Sequence, residues 1–136
     1  MNSKNKQLTL AYLNTFTLSC VQIFLYITIA YIVEHTNVEM SSFVGAIGAG
    51  SLIFAITGPL WAARSDSWGR KKVLNIGMLG MGLSFLILSL IFVFNDQLSI
   101  AMKTMLIFLS RIVYGLLVSA IVQVSQAWQL DVIYNQ

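Results

Sequence analysis

Charge is what this 136-residue chain has least of. Only 10% of its residues are Asp, Glu, Lys or Arg, against roughly 25% in an ordinary soluble domain. A water-soluble fold of this length must cover its surface with polar groups, and there are too few here to do so. A single cysteine, Cys20, excludes an internal disulfide; inside an apolar run, it is expected to be a buried packing residue. A single proline, Pro59, removes one backbone N–H and frees a carbonyl one turn earlier, which predicts a local kink at Gly58-Pro59. The one histidine, His35, falls in a predicted link and reads as solvated. No metal-ligand set, phosphate-binding glycine loop or nucleophile–base pair appears. No catalytic residue, metal or cofactor is therefore expected, and an enzyme is not the expected class.

What the chain has in abundance is apolar length: 57% of its residues are hydrophobic. Four segments reach the roughly 20 mostly apolar residues that cross a bilayer: 8–33, 42–63, 73–94 and 100–128. The first is too long for the apolar part of a signal peptide and is expected to be retained. The predicted architecture is an all-α integral membrane bundle of four transmembrane helices. Its links are short (34–41, 64–72 and 95–99), which predicts that sequential helices are antiparallel neighbours. The formal net charge of +3 does not point to nucleic acid, because the basic residues flank apolar spans instead of interleaving with aromatics. The lipid bilayer is the expected partner.

Lys and Arg set the expected orientation. The N-terminal tail (Lys4, Lys6) and the 64–72 segment (Arg64, Arg70, Lys71, Lys72) put six basic residues on one side. The other side has Lys103 alone, with Glu34, His35, Glu39 and Asp96. The basic side, with both termini, is expected in the cytoplasm of a cell membrane. Small residues mark the expected helix contacts: Gly45, Ala46, Gly48 and Gly50 in the second span, Gly77, Gly80 and Gly82 in the third. Asn14 and Gln22 are eight apart on one helical face; lining a cavity and hydrogen bonding between helices are both open to them.

Two constellations carry more information. In the 64–72 segment, Asp66 can complement the dipole of a helix N-terminus, and Gly69 permits a tight course between closely packed helices. Arg70 offers a planar fork to a carboxylate, and Lys71 and Lys72 suit anionic headgroups. In the fourth span, Arg111 stands near mid-bilayer, where an arginine costs roughly 2.5–3.5 kcal/mol on insertion scales and must face the bundle interior or a water-filled cavity. Gly115 and Ser119 follow at i+4 and i+8 on nearly the same stripe, so a neighbouring helix can approach just beyond the arginine. A structural arginine bonded to backbone carbonyls and a functional one both fit this pattern.

The first constellation resembles the signature between the second and third helices of the major facilitator superfamily, roughly G-x-x-x-D-R/K-x-G-R-R/K-R/K. Asp66, Gly69, Arg70, Lys71 and Lys72 match it; Ala62 stands where glycine is usual and Ser67 where a basic residue is usual. The second resembles that family's fourth-helix pattern R-x-x-x-G-x-x-x-small, through Arg111, Gly115 and Ser119. The resemblance implies a secondary, proton-coupled transporter of a small solute. It also implies that Asp66 latches against a helix of the other half, that Arg111 takes part in proton coupling or substrate binding, and that Asp131 pairs with Arg70. The family normally has two six-helix halves, so the chain is expected to correspond to the first four helices of the N-terminal bundle. Such a portion is expected to need further helices or another chain for transport. The alternatives are a four-helix membrane subunit and a small dimeric exporter; the latter relies on an acid inside its first helix, where this chain has none before Glu34.

Overall fold

A computed structural model describes residues 3–134, the side chains at 3–8, 10, 11, 14, 25, 29, 30 and 132–134 excepted. Four helices follow one another: α1 (Ser3–Thr36), α2 (Met40–Trp68), α3 (Arg70–Val93) and α4 (Ile100–Tyr134), with no strand among the described residues. Each contains a stretch long and apolar enough to cross a membrane: Thr15–Thr36, Met40–Trp68, Arg70–Val93 and Ile100–Asp131. The chain is an all-α, multi-pass membrane protein.

The helices mostly outrun the apolar runs that announce them, so the first two links are shorter than the expected ones, while the third, 94–99, is one residue longer. Polar residues end an apolar span without ending a helix, because their backbone groups still satisfy the i→i−4 ladder. The 64–72 segment is helical except for Gly69. That residue adopts φ 87° and ψ 136°, a course that side chains strongly disfavour. Its N–H donates to the Ser65 carbonyl at 3.1 Å, closing α2, and its own carbonyl accepts from Val73 N–H at 3.3 Å, opening α3. At the opposite end, Asn37 takes φ 55° between α1 and α2, a conformation asparagine tolerates better than most residues. Ser99 opens α4, its hydroxyl accepting from the Met102 N–H at 3.3 Å. His35, expected in a link, lies in the last turn of α1, where its ring stacks on Tyr31 at 4.0 Å. α2 continues through Pro59 to Trp68, so the missing N–H does not end the helix.

Packing departs from the expected order of neighbours. α4 is the hub: it packs extensively on both α2 and α3 and more sparingly on α1, while α2 and α3 meet little beyond their shared turn. Short links tie helix ends together, but faces pack where small residues let backbones approach. α2 runs parallel to α4, with Gly50 beside Arg111 and Gly58 beside Gln123. α3 and α1 run antiparallel to it: Arg70 meets Asp131, Gln129 meets Thr15, and Lys103 meets Thr36. Of the glycines expected to mediate contact, Gly50, Gly77 and Gly80 do face α4, and Gly45 lies against the Phe108 ring. Gly48 and Gly82 do not; a methyl group on either would meet open space. Cys20 is exposed on α1 and not buried as expected, because α1 leaves most of its surface outside the bundle.

One apolar cluster, built on Ile32, Phe43, Ala46, Ile91 and Ile107, fills the end where α4 begins. Lys103 is buried in that end and its Nζ donates to the Thr36 carbonyl at 3.4 Å, at the C-terminus of α1. A cation there complements the helix dipole and occupies a carbonyl the helix leaves unpaired. A second cluster of Val73, Ala120 and Val124 joins α3 to α4 near the basic end.

Candidate functional site

The central feature of the bundle is Arg111. It sits about a third of the way along α4 and is 5% exposed. Its Nε donates to the Ser110 hydroxyl at a long 3.4 Å, and its guanidinium lies 5.2 Å from the centroid of the Tyr114 ring. One terminal nitrogen, Nη2, is enclosed without a hydrogen-bond partner among the described residues. The five acids of the chain (Glu34, Glu39, Asp66, Asp96 and Asp131) all lie at helix ends or in links, so none reaches Arg111 as a counter-ion. A buried guanidinium with so few partners is costly, and such groups mark functional positions in membrane helices.

A cavity of about 140 Å³ opens on this arginine. Gln22 and Tyr26 of α1 line one wall, Gly50, Ser51 and Phe54 of α2 another, and Arg111 with Tyr114 of α4 a third. Gln22, one of the two expected cavity residues, therefore lines it; the side chain of Asn14 lies outside the described residues. Sequence reasoning missed Tyr26, Ser51, Phe54 and Tyr114. The available signals were local: Tyr26 is four residues beyond Gln22 and Tyr114 is three beyond Arg111, in each case on the same helical face.

The stripe beyond Arg111 explains how α2 is held beside it. A Cβ on Gly115 would collide with the Gly50 carbonyl, and one on Gly50 would come within 2.8 Å of the Arg111 carbonyl oxygen. The two glycines let the backbones meet. One turn on, the Ser119 and Thr57 hydroxyls share a hydrogen bond of 2.8 Å, and Thr57 also donates to the Gly115 carbonyl at 3.2 Å. The Trp61 indole donates to the Leu116 carbonyl at 2.6 Å. In a bilayer such interhelical bonds average about 0.6 kcal/mol each, so the seam is stabilised by several small terms together with close backbone packing.

The basic end forms a second constellation. Arg70, at the start of α3, forms an ion pair with Asp131 near the end of α4; their side chains are 26% and 49% exposed. Arg70 Nη1 is enclosed without a partner among the described residues. Asp66 is exposed in the last turn of α2 and has no ion pair among the described residues; it caps neither α2 nor α3, since Gly69 stands at both ends without a side-chain cap. Lys71 and Lys72 are exposed. Trp68, given no role by sequence reasoning, lies between two cations, Arg64 at 4.8 Å and Lys72 at 5.5 Å from its ring centroid. The side chains of Lys4 and Lys6 lie outside the described residues. Among the described residues no group of three or more His, Cys, Asp or Glu is placed to hold a metal ion.

Compared with known families, the chain matches the Major Facilitator Superfamily over residues 10–133. No curated protein and no solved structure matches it.

Proposed function

The chain belongs to the Major Facilitator Superfamily, a family of membrane transporters, and from that membership we propose that it moves a small solute across a cell membrane, with the Arg111 cavity as the solute-binding site. The observation that carries this reading is the buried, poorly partnered guanidinium opening on a cavity walled by three helices. A structural arginine would be expected to spend its donors on backbone carbonyls; among the described residues Arg111 makes one long bond, to a hydroxyl. Protons are the proposed coupling ion, on the strength of the Arg111, Gly115 and Ser119 stripe.

The basic end is proposed to face the cytoplasm, because Arg64, Arg70, Lys71 and Lys72 all gather there. In this reading Arg70 and Asp131 tie α3 to α4, Gly69 sets the turn, and Lys71 and Lys72 rest at the headgroups. Asp66 is proposed as the group that latches against a helix outside these four, a role supported by its exposure at the end of α2. Alternating access needs two bundles rocking around a central site, so transport is proposed to require further helices, on this chain or on another.

The test is genetic and uses the producing cell. Deleting the gene and restoring either the wild type or Arg111→Gln, with equal membrane levels checked by blotting, should change the distribution of one or a few small solutes between cell and medium. The wild type should restore the distribution and Arg111→Gln should not. Equal restoration by both would remove Arg111 from the solute site.

A further inference from the structure

The charge balance of the cavity speaks to the class of solute. The lining offers one permanent cation, two phenols, an amide and a hydroxyl, beside Phe54 and Ile47. It offers no carboxylate, and the five acids of the chain lie toward its helix ends. A cationic solute entering this space would meet like charge at low dielectric, with no acid on these four helices to offset it. A neutral solute could satisfy the guanidinium only with neutral acceptors, bonds roughly half as strong as those of a charged partner, and would leave its charge unbalanced. An anion supplies what is missing, and a planar carboxylate matches the fork of a guanidinium.

Number and shape narrow the class further. One guanidinium balances one negative charge, which favours a monocarboxylate over a doubly charged phosphate. The remaining wall is aromatic and aliphatic: Tyr26, Phe54, Tyr114 and Ile47. Such a surface suits an apolar or aromatic body behind the carboxylate. We infer that the Arg111 cavity binds a small organic monocarboxylate, with the carboxylate on Arg111 and its apolar body against Phe54 and the two tyrosines. This inference rests on the reading of the cavity as the solute site.

The chain has three arginines, Arg64, Arg70 and Arg111, so the side-chain Nε–Hε spectrum of the whole chain in neutral-lipid nanodiscs has three assignable signals. Three probes of one shape and different charge serve as ligands: benzoate, benzyl alcohol and benzylammonium. Benzoate should move the Arg111 signal saturably; benzyl alcohol should bind on the order of tenfold to a hundredfold more weakly, the range expected for losing a hydrogen bond to a charged group. Benzylammonium should not bind. Arg111→Gln should abolish the preference for benzoate, and Arg111→Lys should keep the preference with lower affinity. The charge series on the wild type needs no variant, so a misfolded Arg111→Gln would not spare the inference. Equal binding of benzoate and benzyl alcohol at Arg111 would overturn the monocarboxylate and leave the solute site standing. Benzoate moving only Arg64 or Arg70 would overturn it by placing the anion at the basic end. Failure of all three probes to perturb Arg111 or the rings of Tyr26 and Tyr114 would count against both readings.

Discussion

α1 and α4 are almost equal in length, 34 and 35 residues, and both qualify to cross a bilayer, yet 7% of an apolar 18-residue stretch of α1 is buried against 44% of one in α4. Hydropathy does not separate them; the distribution of small residues does. α4 buries Ser110, Gly115, Ser119, Ala120 and Ser125, which let α2 and α3 come close. α1 turns Tyr12, Phe16, Ile23, Phe24 and Ile27 outward. Lipid tails solvate such side chains as well as a protein interior would, so no hydrophobic force draws them into the bundle. Apolar content selects the solvent of a helix, and small side chains select its neighbours.

The contrast can be broken most directly at the α2–α4 seam. Gly115→Leu forces a side chain against the Gly50 carbonyl and should cost about 3 kcal/mol, the upper part of the range for overpacking. Unfolding in mixed micelles by added SDS would measure it, and a variant as stable as the wild type would refute the close approach of the two helices. Next in size, Gly77→Val should cost about 1–3 kcal/mol in the same assay, because a Cβ there comes within 2.5 Å of Ile121. Gly82→Val, five residues on in open space, should stay within about 0.5 kcal/mol. If the two valines cost the same, the face assigned to α3 is wrong.

Smaller effects sharpen the comparison. In a double-mutant cycle, Thr57→Val and Ser119→Ala should show a coupling of about 0.6 kcal/mol; strict additivity would mean that the shared bond contributes nothing. Asp131→Asn should cost roughly half a kcal/mol at low ionic strength and less as salt is raised, since both partners are partly exposed. A loss that salt does not diminish would point to packing and not to the ion pair. The smallest change is expected on α1, where Phe16→Ala should leave the unfolding midpoint within error, its side chain being 68% exposed. A large loss there would mean that α1 belongs to the core after all.

Much of the fold was legible in the residues. Apolar runs locate four spans, and the gathering of Arg64, Arg70, Lys71 and Lys72 beside Asp66 and Gly69 is a local pattern that needs no structure to be seen. Link lengths were less legible, because a charged residue closes an apolar run while the helix continues through it; the segment from Arg64 to Lys72 proved helical on both sides of Gly69. The site was legible only along α4. Arg111 stands out by its cost, and Gly115 and Ser119 by their spacing, but the walls that Tyr26, Ser51 and Phe54 provide come from helices far away in sequence. Trp68 illustrates the same limit: its cations are four residues before and after it, yet the helix breaks between Trp68 and Lys72 at Gly69.

By itself the sequence determined the medium, the number of spans and the charge asymmetry of the two ends. Each of these is a sum over neighbouring residues, and water or lipid responds to such sums directly. The tertiary structure alone decided that α4 is the hub, that Gly50 and Gly77 meet it while Gly48 and Gly82 do not, and that Arg111 shares a cavity with two tyrosines. Spacing along a helix says which residues share a face. Only the competition among faces for close backbone contact decides which of them meet.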